Sequence, residues 1–157
     1  MNDYSVPIAP LRVTMLLTDG RTIDGDVFLP AKSPLRDGPM LAGEWAKVAP
    51  PFIPVRPAVG HEVMIVNRHQ VVAFALPVGV PAEDPVELLD TPAQHVALEM
   101  TGGLRLEGLM AVAMPRHQRR VVDWLNAQDA HLTLEVDGRA HLVTKAHIVR
   151  IIELGGA

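Results

Sequence analysis

LLTDGRTIDGDVF, residues 16–28, has a second version in EMTGGLRLEGLMA, residues 99–111. A shift of 83 residues superposes Val13 on Val96, Thr18 on Thr101, Gly20 on Gly103 and Gly25 on Gly108. The second half of each copy aligns as well, at slightly different offsets. Glu44-Trp45 falls on Asp123-Trp124 at a shift of 79, and IVNRHQVVAFA (65–75) falls on LVTKAHIVRII (142–152) at a shift of 77. The chain is read as a tandem duplication whose loops differ in length.

Within the opening stretch Val13, Met15 and Leu17 alternate with Arg12, Thr14 and Thr18, the period of a half-buried strand. Asp19-Gly20 is a hairpin signal, because both residue types accept the positive φ angles of a tight turn. The chain then returns through Thr22, Ile23, Val27 and Phe28, interrupted by Gly25. A glycine inside a strand marks a bulge or bend where another backbone comes close.

Outward from there, residues 1–11 hold Pro7 and Pro10 and read as an N-terminal arm, and 30–41 read as a Pro/Gly loop. GEWAKV is expected to form one helical turn that sets Trp45 against the core. PPFIPVRPAVG, residues 50–60, carries four prolines and is expected to be at most a poor edge strand. EVMIV and VVAFAL complete the first copy, residues 12–77. An acidic, proline-rich connector follows over 78–94, with one helical turn expected at VELLD. The second copy occupies 95–154, including RHQRRVVDWLN and the Asp137-Gly138 hairpin, and 155–157 form a tail. Trp45 and Trp124 are expected to pack in the core or between copies, with ligand stacking the alternative.

A chain of 157 residues divided this way gives units of about 60–75 residues, too small to bury a large core alone. With 48% apolar but only 4% aromatic residues, their cores must be aliphatic. Residues 1–80 and 96–157 each carry seven basic and seven acidic side chains, so the net charge of −4 comes from Glu83, Asp84, Glu87 and Asp90. Neither copy is a basic body of the kind that binds nucleic acid nonspecifically. The chain contains no cysteine, which excludes thiolate zinc sites and accords with a reducing compartment. MNDYSVPIAP lacks a basic start followed by an apolar run, and no segment approaches a membrane span. A cytoplasmic location is therefore expected.

Each copy resembles the Sm-like family, whose fold is a five-stranded, strongly bent, SH3-like barrel. The residues that carry the resemblance are the glycine pairs Gly20/Gly25 and Gly103/Gly108 in their hydrophobic alternation. The later motif is matched by Ile65-Val66, Asn67-Arg68 and Val71, and by Leu142-Val143, Thr144-Lys145 and Ile148. The resemblance implies an all-β fold of two tandem Sm-like barrels with short helical turns. It also implies association through exposed edges of the last two strands of each unit; three chains make a six-unit ring if the copies do not instead pack face to face.

Its RNA-contacting residues carry over only in part. Where uridine-binding members have Asp and Asn beyond the second glycine, this chain has Ala31 and Leu35, then Met114 and Gln118. Arg68-His69 resembles the Lys-His pair of the bacterial Hfq branch, and Lys145 occupies the same place in the second copy. Arg116, Arg119 and Arg120 form the densest basic cluster, suited to phosphates or to an acidic protein surface. Either set also suits plain solvated loops, and no aromatic residue interleaves with the cluster as a platform for bases.

Catalytic chemistry finds no footing. Ser5 and Ser33 lie outside any G-x-S-x-G setting, and Gly102-Gly103 has no following helix to bind phosphate. The histidines at 61, 69, 95, 117, 131, 141 and 147 give no HxH or HxxxH pair, so neither metal nor cofactor is expected. The expected function is a non-enzymatic protein-interaction scaffold or regulatory adaptor, self-associating or binding an unlike protein. RNA binding through Arg68, His69, Lys145 and the arginine cluster is the alternative.

Overall fold

The computed structural model describes residues 8–84, 91–112, 121–126 and 129–156. The chain is all-β. The first copy contributes β1 (Ile8–Leu17), β2 (Thr22–Pro30), α1 (Ala42–Val48), β3 (Phe52–Pro57), β4 (Met64–Asn67) and β5 (Val71–Ala75). From the second come β6 (Ala93–Met100), β7 (Arg105–Ala111), α2 (Val121–Leu125), β8 (His131–Val136), β9 (Arg139–Thr144) and β10 (Ile148–Gly156). Single 3-10 turns, Arg68–Gln70 and Lys145–His147, link the last two strands of each copy. No helix among the described residues is long and apolar enough to cross a membrane.

All ten strands join one antiparallel sheet in the order β10-β6-β7-β8-β9-β5-β1-β2-β3-β4. The duplication is visible in that order, because β5-β1-β2-β3-β4 and β10-β6-β7-β8-β9 are the same arrangement repeated. Neither half closes on itself: among the described residues no ladder joins β4 to β5 or β9 to β10. Instead β5 of the first half pairs with β9 of the second, so the copies sit edge to edge. Two core clusters result. One surrounds Met15, Trp45 and Phe74; the other surrounds Leu98, Met110 and Leu134.

Five sequence expectations need correction. The strand expected from Arg12 begins at Ile8, so residues 8–11 of the arm belong to β1. Pro10 is tolerated because β5 pairs with β1 only from Thr14 onward, leaving β2 as the sole neighbour there among the described residues. β3 is not an edge strand. Its first four residues pair with β4 and its last two with β2, so the prolines fall where only one side is bonded. The expected tail at Gly155-Gly156 is strand, paired to His95 and Gln94, and β6 begins inside the expected connector at Ala93. Finally, only Gly20 of Asp19-Gly20 takes a positive φ, +86°. Asp19 accepts a hydrogen bond from the Arg21 amide, a side-chain turn that holds it at ordinary φ. Asp137-Gly138 does form the tight turn with both φ positive, +50° and +78°. The VELLD segment lies outside the described residues.

Gly25 and Gly108 do what a bend glycine does. A Cβ on Gly25 would stand 2.6 Å from the Arg56 carbonyl oxygen, and one on Gly108 closer still to that of Glu135. Neither has a positive φ, so close approach of β3 and β8 is the reason glycine is needed.

Candidate functional site

The junction between the two halves is the best-built surface in the molecule. Across it Ala73 lies opposite Val143, Phe74 opposite Leu142 and Ala75 opposite His141. Leu142, from the second half, is buried in the first core; Val72 and Ala73, from the first half, are buried in the second. Further hydrogen bonds lock the seam. Thr144 Oγ1 donates to the Val71 carbonyl at 3.0 Å, Arg139 Nε to the Leu76 carbonyl at 2.8 Å, and the Leu76 amide to Ala140 at 2.9 Å. His147 Nε2 donates to the carbonyl of His69. α1 lies over β8 and β9, with Lys47 and Asp129 4.0 Å apart.

Among the described residues no strand lies beyond β4 or β10, the outer ends of the sheet. Their side chains are unlike those of the seam in burial although alike in type. Leu142 is 1% exposed, whereas its counterpart Ile65 on β4 is 74% exposed; Val72 is fully buried, whereas its counterpart Val149 on β10 is 69% exposed. Between α2 and β10 runs a groove of about 390 Å³ lined by the charged Lys145, Arg150 and Glu153 and by the apolar Val121, Val122, Leu125, Ile148 and Ile151. The apolar residues correspond to α1 and β5 at the inner junction, where the space is filled.

Arg68 and Lys145, singled out as RNA or partner contacts, face inward to their own copies. The Arg68 guanidinium donates to the Ala49 carbonyl just after α1. Lys145 Nζ donates to the Leu125 carbonyl of α2 at 3.1 Å and stands 5.6 Å from the Trp124 ring centre. Both cations thus satisfy carbonyls at a helix C-terminus. The His69 amide donates to Asn67 Oδ1 at 3.0 Å, which fixes the 3-10 turn. Arg116, Arg119 and Arg120 lie outside the described residues. Trp45 is buried edge-on against Phe74, ring centres 5.5 Å apart, and Trp124 is partly buried against the second core. No cluster of three or more His, Asp or Glu side chains fit to hold a metal occurs among the described residues.

Two features were not anticipated. Asp26 is buried on the outer face of β2, between Arg12 on β1 (2.8 Å) and Arg56 on β3 (2.9 Å). Hydrogen bonds from Arg12 and then Arg56 hold its carboxyl below the usual range, against the opposing effect of burial. Strand register alone brings these residues into one row. The second is His131, whose Nδ1 is buried without a partner among the described residues. Burial, aided by the positive charge of Arg68, pushes its imidazole down to about 4.

Asp26→Asn is expected to lower stability at neutral pH by about 1–3 kcal/mol, the range for a hydrogen-bonded charge losing its pairing. A lowered carboxyl contributes stability that is fully present above the unfolded value of 3.8 and is lost as pH falls through the folded value. Urea titrations of both proteins should therefore differ by a constant amount from pH 5 to 7 and converge below pH 3.8. A difference that persisted at acid pH would mean the effect is packing rather than charge.

Compared with protein-family models, with curated proteins and with solved structures, the chain has no match.

Proposed function

We propose that this chain is a non-enzymatic protein-interaction scaffold or regulatory adaptor, built from two Sm-like barrels of bent strands, acting in the cytoplasm through the edges of its sheet. The repeated strand order and the paired bend glycines Gly25 and Gly108 support the barrel assignment. The observation that carries the functional reading is the pair of open edges, β4 and β10, with exposed Ile65 and Val149. An open edge presents unpaired N–H and C=O groups in a row, the template for taking up another strand.

RNA binding is the reading to be tested against it. Arg68 and Lys145 already hold carbonyl partners, which leaves fewer of their N–H donors for phosphates. In fluorescence anisotropy at low salt, short uridine-rich and adenine-rich RNAs are expected not to bind. Affinity that fell steeply with added salt and was lost in Lys145→Ala, at an unchanged melting temperature, would replace the scaffold reading with RNA recognition.

A further inference from the structure

We infer that the hollow between α1 and the outer face of β7 and β8 is a binding site for a small organic cation, an amine carried on an apolar body. Among the described residues its walls include none from β4 or β10, so the site is independent of the sheet's open edges.

The hollow exists because the two copies differ at this face. In the first copy the face is filled: Arg56 lies over the Phe28 ring, 5.5 Å from its centre, and Asp26 sits between Arg12 and Arg56. The 83-residue shift puts Leu109 in the place of Asp26 and Ala111 in that of Phe28. On the next strand, at a shift of 79, His131 replaces Phe52, Thr133 replaces Pro54 and Glu135 replaces Arg56. That register is the right one, because the carbonyls that crowd Gly25 and Gly108 belong to Arg56 and Glu135. A ring and a stacked guanidinium are thus lost from the second copy, and alternate residues of β8, which share one face, become polar. Over the vacated surface lie α1 of the first half and the connector, through Gly43, Lys47 and Glu83. The space enclosed is about 410 Å³. Small-molecule sites have this size and favour the boundary between two packed units.

The lining selects the ligand's chemistry. Leu109, Ala111, Leu142 and the Trp124 indole supply an apolar surface. Among the described residues one ammonium, Lys47, lines the hollow together with three carboxylates, Glu83, Asp129 and Glu135. Lys47 and Asp129 stand 4.0 Å apart, which leaves the charge of two carboxylates in excess. His131 adds no positive charge at neutral pH, since burial pushes its imidazole down to about 4. Glu83 is held in place: its Oε1 accepts from Thr133 Oγ1 at 3.3 Å, and a Cβ on Gly43 would stand 2.6 Å from the same oxygen. An acceptor already ordered loses little more freedom when an ammonium donates to it. An anion of the same shape would meet the same carboxylates and be repelled.

The chain's two tryptophans allow a direct test, because each gives one indole N–H signal in a nitrogen–proton correlation spectrum. Trp124 reports on the hollow and Trp45 on the first core. Phenethylamine, phenethyl alcohol and hydrocinnamate share one apolar body and differ in charge. Phenethylamine should shift the Trp124 signal saturably, with a Kd of about 1 mM for a ligand so small. Hydrocinnamate should bind at least about tenfold more weakly. Ala111→Phe, which restores the ring found at this place in the first copy, should abolish binding while leaving the melting temperature intact or raised. Glu135→Gln, on an exposed side chain, should weaken the amine about tenfold and leave the alcohol unchanged. The inference is overturned by the absence of a saturable shift with phenethylamine, by equal binding of hydrocinnamate, or by parental affinity in folded Ala111→Phe. Should that variant not fold, Glu135→Gln decides: undiminished affinity for the amine overturns the site, and a selective loss upholds it.

Discussion

Phe74→Ala should destabilise the fold by about 3–5 kcal/mol, the usual loss when a buried phenylalanine is truncated. The ring lies on β5, buried, edge-on to Trp45 and directly across the seam from Leu142. Removing it opens a cavity bordered by both halves of the molecule. The first core contains Leu142 from the second half, and the second core contains Val72 and Ala73 from the first, so neither core is complete without the other. Unfolding should accordingly be one transition, in the parent and in the variant alike. Urea curves followed by tryptophan fluorescence and by circular dichroism should coincide, and Phe74→Ala should move both together. If the variant instead unfolded in two steps, the halves would be separate folding units and the shared core would carry little energy.

Gly108→Ala is expected to be nearly as damaging, about 3 kcal/mol, at the upper end of the range for overpacking. What a Cβ would strike is the Glu135 main-chain oxygen, which cannot swing aside as a flexible side chain can. Relief requires β7 and β8 to part at Met110 and Leu109, where their short ladder is made. Gly25→Ala should cost less, since its obstacle lies farther off at 2.6 Å. Gly20→Ala meets no atom within 4 Å and should cost only the strain of a left-handed backbone at φ +86°, about 1–2 kcal/mol. Thermal or urea midpoints that reversed this order would show that steric approach is not what selects glycine at the bends.

How much of this was legible in advance depends on how far along the chain each feature reaches. The duplication, the alternation in β1 and β2, the two bend glycines and the helical turn bearing Trp45 are local patterns, and they were readable residue by residue. Strand ends were less so. Pro10 and the prolines of β3 look like strand breakers until the sheet reveals which side of each strand is unbonded. The roles of polar side chains were the least accessible. Arg68 and Lys145 sit in a turn and look available to an outside ligand, yet each reaches back about twenty residues to its own helix, to Ala49 and Leu125. The Arg12–Asp26–Arg56 row depends on the register of three strands, which no spacing in the chain discloses. His131 shows no sequence mark at all that separates it from its exposed relatives.

The seam between β5 and β9 has one further consequence. Its two strands belong to one polypeptide, so their encounter takes place at an effective concentration set by the connector and does not respond to dilution. Contacts made by β4 and β10 with other molecules have no such tether. Diluting the protein should therefore strip away everything bound at its ends before it touches the middle. Any assembly of this chain must also count its five-stranded units by twos, because the smallest piece that dilution can release already holds a pair.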